Sequence, residues 1–312
     1  MIFIDANVYL EFFKSSKPEM KKLLPVLDEL KENIFVTQQL VNEVSRNKLN
    51  VALANFNEYA KKCVGPGIRL PEHLDISGET LVKDWNKKEA EVRESVKSLS
   101  ADLNKIIEHV ADNIINKKDE VSQGLEAIFT RALVPEGKQV QAARWRRESG
   151  APPGKPDNPL GDQLTWEQLL DAHDGKTALW VVTNDGDFTE KYKDKIYLNP
   201  VLNDEIQAKS GQNIDIYCFE RLTDALEHYQ SMVKEKLKTL PPPEEMESIK
   251  KSEITQTRPE VDQHFQPTRC FKCGSESFTS GVARPSQYGG WTYQWQCCSC
   301  GSITDTGEPY DD

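Results

Sequence analysis

The chain has 312 residues, 38% hydrophobic and 29% charged, with a formal net charge of −11 at pH 7. This balance excludes a disordered chain, the absence of any apolar run of about 18 residues excludes a helical membrane span, and the length allows one sizeable core plus a small appendage. The acidic total excludes a simple polyelectrolyte grip on nucleic acid, which usually needs a basic face, but it leaves room for a site whose clustered carboxylates are neutralised by divalent ions.

The N-terminal Met1-Ile2-Phe3-Ile4-Asp5 has no basic flank, long apolar stretch or small-residue cleavage site of a secretory signal, so a cytoplasmic protein is expected. Ile2 to Ile4 reads as a short buried parallel strand with Asp5 at its C-terminal end, where sites in open α/β sheets lie. Met20, Leu23, Leu24, Leu27 and Leu30 recur at helical spacing, Ile34 to Thr37 reads as a second strand, and Gln39 to Leu49 as a helix carrying Glu43. Leu81 to Leu133 contains no proline, and Val92, Val96, Leu99, Leu103, Ile106 and Val110 alternate spacings of four and three. That pattern predicts long helices with a narrow apolar seam, a packed structural hairpin inserted into the α/β domain.

Ala151 to Pro159 is a loop, because its prolines lack donors and its glycine breaks periodicity. It leads into a helix starting at Gly161-Asp162. Ala178 to Thr183 reads as a buried strand running into Asn184-Asp185-Gly186-Asp187-Phe188, Ile214 to Phe219 as a later strand, and Leu222 to Lys238 as a closing helix. Alternating strands and helices predict an α/β domain with a central parallel sheet covered by helices on both faces.

Four acids stand out by placement: Asp5, Glu43, Asp162 and Asp185, with Asp187 a possible fifth. Mg²⁺ and Mn²⁺ prefer carboxylate and water oxygens, and the ion offsets the repulsion between its ligands. Phosphodiester hydrolysis needs an activated water and charge stabilisation on the leaving oxygen, which two ions roughly 4 Å apart supply. Asn7 could hydrogen-bond Asp5 or form a turn. Thr183 could orient a carboxylate or contact phosphate.

Ile-Phe-Ile-Asp-Ala-Asn at the N-terminus, Glu43, Gly161-Asp162 with Trp166, and Val-Val-Thr-Asn-Asp-Gly-Asp-Phe at 181–188 together resemble a PIN-domain nuclease over roughly residues 1–225. The likeness is to the PIN-like branch in which a Pro-Pro-Gly loop precedes a Gly-Asp followed by tryptophan. The resemblance implies a three-layer α/β/α fold and a metal-dependent nuclease, usually acting on RNA, with its acids mapping onto Asp5, Glu43, Asp162 and Asp185, and Asp187 adjacent. Glu29, Glu32 and Glu58 share the region of Glu43, which is singled out by pattern alone. Lys155-Pro156-Asp157 departs from the family pattern of an aromatic and a basic residue before the acid, so Asp157 receives no role.

Arg144, Arg146 and Arg147 around Trp145, with Lys155 in the following loop, could hold substrate through forked phosphate contacts and base stacking. Otherwise they are a solvated helix end with Trp145 in the core. Seven cysteines include Cys270-x-x-Cys273 and Cys297-x-x-Cys300, separated by 23 residues. That spacing predicts a structural four-thiolate zinc site, with Cys298 a bystander or an exchange partner of Cys297. The strand-like residues between the knuckles, around Tyr288, Trp291, Tyr293 and Trp295, resemble a zinc ribbon that could recruit a protein partner or nucleic acid.

The expected organisation is a PIN-like domain over 1–235 with a helical insertion at about 80–148, a linker over 236–266 and a zinc ribbon over 267–312. The expected function is an endoribonuclease, with a toxin or defence role as an analogy to the fold. Two competing readings are a structure-specific DNA nuclease and a catalytically silent scaffold whose ribbon recruits partners.

Overall fold

The computed structural model describes residues 1–62, 81–154, 160–193, 195–211, 213–234 and 236–254, and of the C-terminal part residues 270, 272, 273, 275, 282–285, 291–300 and 302–309. The chain divides into two compact units, Met1–Ile254 and Thr255–Asp312. No helix among the described residues is long and apolar enough to cross a membrane.

The first unit opens with β1 (Ile2–Ile4) and α1 (Ala6–Glu11), followed by a 3-10 turn (Pro18–Leu23), α2 (Leu24–Glu29), β2 (Ile34–Phe35) and α3 (Gln38–Lys62). Then come α4 (Leu81–Ile115), α5 (Glu120–Phe129), α6 (Gly137–Ser149), α7 (Gly161–Ala172) and β3 (Leu179–Val182). The remainder is β4 (Thr189–Tyr192), β5 (Lys195–Leu198), α8 (Pro200–Ser210), β6 (Ile216–Phe219), α9 (Leu222–Met232) and α10 (Pro243–Ile254). A four-stranded sheet in the order β2-β1-β3-β6 is parallel throughout.

Its central strands are uninterrupted apolar runs because both faces are covered. Residues in register on parallel strands point to the same side. Ile2 is in register with Trp180, whose Nε1 donates to His228 Nδ1 at 3.1 Å and whose ring lies 5.0 Å from that of Tyr229, both on α9. The next residue, Phe3, faces the other way, 5.4 Å from Phe188, which in turn lies 6.5 Å from Trp166 on α7. Helices α9 and α7 therefore cover opposite faces, giving the three layers.

Four features depart from the sequence expectation. The helical insertion is not one arm. Leu125 and Ile128 of α5 are fully buried in the core and Ala143 of α6 is fully buried too, so α5 joins the core and α6 packs on α7, while α4 lies against α3. Only half of the apolar seam on α4 is covered. Val96, Leu103 and Val110 are half-buried, whereas Val92, Leu99 and Ile106 are 46%, 54% and 53% exposed.

The stretch expected as linker is folded up to residue 254. Met246 and Ile249 of α10 are buried, Lys17 Nζ donates to Glu253 O at 3.1 Å, and Glu253 accepts from Leu222 N at 2.9 Å, capping α9. Finally, β4 and β5 form an unexpected antiparallel hairpin immediately after Phe188.

The second unit contains β7 (Val282–Pro285), β8 (Trp291–Gln296) and β9 (Ile303–Pro309), antiparallel in that order. The expected hairpin strand around Trp291, Tyr293 and Trp295 is β8. The side chains of those three residues, and Tyr288, lie outside the described residues.

Candidate active site

The sheet carries its acids at the C-terminal ends of its central strands. Asp5 follows β1, and its amide donates to Val182 O at 3.0 Å, fixing it beside the end of β3. Its side chain caps α1 by accepting from Ala6 N at 2.7 Å. Two further donors hold the other oxygen, with Thr183 Oγ1 at 2.6 Å and Asn7 Nδ2 at 2.8 Å. Thr183 is fully buried, and its Oγ1 also accepts from Asp185 N at 2.9 Å, so one hydroxyl positions two carboxylates. Asp185 then closes a tight turn, with Asp187 N donating to its Oδ1 at 2.9 Å.

Asp162 sits in the first turn of α7, where unpaired amides favour a negative charge. Gly161 lets this helix end approach α3. A Cβ there would come within 3.0 Å of Gln39 Nε2, and Gln39 is one helical turn before Glu43. Potential ligand oxygens of Asp162, Asp185 and Asp187 all lie within 4.8 Å of one another. Asp187 thus belongs to the tightest group rather than its margin.

Electrostatics bind Asp5 and Glu43 to the same cluster. Burial pushes the Asp5 carboxyl up to about 6 against the hydrogen bonds from Thr183 and Ala6, and the charges of Glu43 and Asp185 add to the rise. Burial, then the charges of Asp5, Glu43, Asp185 and Asp187, push Asp162 up to about 7. Glu43 is raised by burial, with Arg46 opposing and Asp185 reinforcing. Its rivals are used elsewhere. Glu29 accepts from Lys238 N and Thr239 N at 2.9 Å each, and Glu32 ion-pairs with Arg131 at 2.6 Å. The side chain of Glu58 lies outside the described residues.

Such a donor set, all carboxylate oxygen and mutually repelling without a cation, fits a hard divalent ion. Asn7 and Thr183 both hydrogen-bond Asp5 Oδ2, the orienting role that the sequence allowed each of them. Thr183→Val should cost about 10- to 100-fold in metal affinity or activity, as for other groups that orient a ligand. A metal titration of the rate checks this.

The basic patch divides. Arg144 is exposed and Arg147 half-buried, but Arg146 is buried and corrects the expectation of a phosphate contact. Its guanidinium donates to Glu167 at 2.9 Å, Pro152 O at 2.6 Å and both Glu205 oxygens at 3.0 Å. Trp166 Nε1 donates to the same Glu205 at 2.7 Å. Arg146 thus ties α6, α7, α8 and the Pro-Pro-Gly loop together. Arg146→Ala strands two carboxylates, and chemical denaturation should show a loss of about 3–5 kcal/mol. Trp145, far from being core, is 72% exposed. Lys155 and Asp157 lie outside the described residues.

In the second unit, Cys270, Cys273, Cys297 and Cys300 bring their sulfurs within 4.8 Å of one another. Cys270 Sγ to Cys300 Sγ is 3.6 Å and Cys273 Sγ to Cys297 Sγ is 3.5 Å, close to the edge of about 3.8 Å in a tetrahedron with zinc–sulfur bonds of about 2.3 Å. Cys298 is exposed and outside the group.

A parallel α/β/α sheet with carboxylates converging at its C-terminal edge defines a hydrolase-type acidic centre suited to divalent cations. A PIN-domain family model matches residues 2–188, more than half of the chain, and the chain belongs to that family, a nuclease superfamily that acts on nucleic acid and generally uses divalent metals. No curated protein and no solved structure matches the chain.

Proposed function

We propose that this protein is a divalent-metal-dependent endoribonuclease of the PIN-like branch marked by the Pro-Pro-Gly loop and Gly-Asp…Trp motif. The convergence of Asp162, Asp185 and Asp187 within 4.8 Å, backed by Asp5 and Glu43, carries this reading. Asp5, Glu43, Asp162 and Asp185 would hold one or two Mg²⁺ or Mn²⁺ ions, with Asp187 beside them. Such ions, when bound, polarise the scissile phosphate, lower the pKa of attacking water and offset charge on the leaving oxygen. Asn7 and Thr183 hold Asp5 Oδ2 in place, and the Asp185 turn fixes Asp187. A silent scaffold has no use for five carboxylates whose repulsion opposes folding.

RNA is favoured over DNA as the usual substrate of the family, and a toxin or defence effector is the corresponding biological role. Arg144, Arg147 and Lys155 remain candidates for phosphate contacts. The four-cysteine cluster would hold a structural zinc in a ribbon, a site for a protein partner, and such metal-ligand cysteines suit a reducing cytoplasm.

The test is purified protein with labelled single-stranded RNA, transfer RNA, single-stranded DNA and duplexes, each with Mg²⁺, with Mn²⁺ or without divalent ions. Internal cleavage of RNA only with added ion is expected. No cleavage, or cleavage that persists in Asp5→Asn and Asp185→Asn, overturns the proposal, and preferential cutting of flapped DNA replaces RNA by DNA.

A further inference from the structure

The β4–β5 hairpin begins at Thr189, the first residue past the family match, and lies directly against the acidic turn. Thr189 Oγ1 donates to Asp185 O at 3.3 Å and Asn199 N to Phe188 O at 2.9 Å, so both ends of the hairpin are anchored beside the aspartates. Its register pairs Glu190 with Tyr197 and Tyr192 with Lys195. Alternation along each strand then sends Thr189, Lys191, Ile196 and Leu198 to one face and Glu190, Tyr192, Lys195 and Tyr197 to the other.

The first face is the structural one. Thr189 and Leu198 are buried, and Lys191 pairs with Glu220 at 2.9 Å. The second face is open, with Tyr192 67% and Tyr197 50% exposed. These rings are diagonal neighbours on one surface, close enough for aromatic side chains to act together. Exposing two large aromatic rings on a short hairpin sacrifices burial that a purely structural element would use. Among the described residues the only other large aromatics so exposed are Trp85 and Trp145.

The charges have a direction. Lys193, in the turn with φ +55°, places its Nζ 5.5 Å from the Tyr192 ring centroid, and Lys195 stands opposite Tyr192. Glu190 stands opposite Tyr197. Cations therefore flank the distal ring and a carboxylate flanks the ring nearer the site. Four residues lie between Asp187 and Tyr192, so the two are at most about 18 Å apart along the chain.

We infer that the outer face of this hairpin is a stacking platform for single-stranded nucleic acid, with Tyr192 and Tyr197 taking unpaired bases and Lys193 and Lys195 their phosphates, which delivers the strand to the acidic centre. The inference rests on the nuclease reading for what is cut, but not for what is bound. Aromatic stacking tolerates any base and requires an unpaired one, so it sets a preference for single strands without a sequence code.

The experiment is fluorescence anisotropy of the full chain with labelled single-stranded RNA, single-stranded DNA and the matching duplexes, in Ca²⁺ to hold turnover down. In parallel, the rate on a long strand is compared with that on bis(p-nitrophenyl) phosphate in Mn²⁺. Tyr192→Ala with Tyr197→Ala should weaken single-strand binding by about 5- to 150-fold for each base that loses its stack. The preference for a long strand over the small diester should fall in step, and Tyr192→Trp with Tyr197→Trp should restore both.

Unchanged single-strand affinity in the alanine pair overturns the platform, as does an equal loss on strand and small diester, which would mark the hairpin as a support for the Asp185 turn. Tyrosine-dependent binding by a protein that cuts nothing in any ion upholds the platform and removes the nuclease. RNA and DNA arms that respond alike support stacking as the shared chemistry, whereas a response confined to duplexes overturns it.

Discussion

Asp162→Asn is expected to lower metal-dependent cleavage by at least about 100-fold, a larger loss than that of a group acting through a ligand, and at the same time to raise the thermal midpoint of the protein without divalent ions at pH 8. The second half follows from the sign of the shift. The Asp162 carboxyl is pushed from 3.8 up to about 7 by burial and by four neighbouring acids. The folded state therefore holds its proton more tightly than the unfolded chain does, and ionisation works against folding. Stability is lost as pH rises between about 4 and about 7, and above that window the full penalty of ionised Asp162 is present.

Asparagine keeps the shape and removes the charge, so the variant should gain on the order of 2–4 kcal/mol at pH 8 and nothing at pH 4. Saturating Mg²⁺ or Mn²⁺ should close the gap, because binding to the folded wild type alone adds about 2.7 kcal/mol at a hundredfold excess over Kd. Protons and metal compete for the same oxygens, so cleavage should weaken as pH falls below about 7. The comparison is calorimetry from pH 4 to 8 with divalent ions omitted rather than chelated, so that the thiolate site keeps its own ion. A variant no more stable than wild type at pH 8 contradicts the convergence of the acids. One that still cuts contradicts the role of Asp162.

The parts of this site that sequence reveals are those coded by short, local, apolar runs. Ile2-Phe3-Ile4 and Leu179-Trp180-Val181-Val182 are legible as buried parallel strands because both faces are covered, and the polar residues that follow, Asp5, Thr183 and Asp185, mark the strand ends where an α/β site lies. What escapes is whatever depends on distant partners or on few residues. Arg146 looks like a phosphate ligand because its two counter-charges are 21 and 59 positions away. Helix α10 reads as a linker because its buried apolar residues among those described are just Met246 and Ile249, one turn apart in a polar segment.

The β4–β5 hairpin hides for a related reason. Its strands are four residues each, with Glu190, Lys191 and Lys195 interrupting any apolar run, and Lys193 takes the left-handed conformation that glycine or asparagine usually announces. The support of Asp5 by Asn7 and Thr183 is intermediate. The residue types invite it, but only the pairing of β1 with β3 brings Thr183 within reach of a residue 178 positions earlier.

Removing one ligand of the four-sulfur cluster should cost the second unit its fold while leaving the first intact. Among the described side chains beyond 254, the buried apolar groups are Cys270 and Cys297, two of the four clustered cysteines, and units this small usually supplement their core with a metal or disulfides. Structural zinc supplies about 10–16 kcal/mol of apparent binding energy to comparable small units, far more than a few strand pairings return. Cys273→Ser is therefore expected to lose one equivalent of zinc and the exchange protection of β7, β8 and β9, with Met1–Ile254 still melting as in the wild type. Cys298→Ser serves as the comparison. Cys298 is exposed and outside the cluster, so its loss should leave both zinc and protection in place, whereas zinc lost by Cys298→Ser would reassign a ligand of the second knuckle and zinc retained by Cys273→Ser would remove Cys273 from the site.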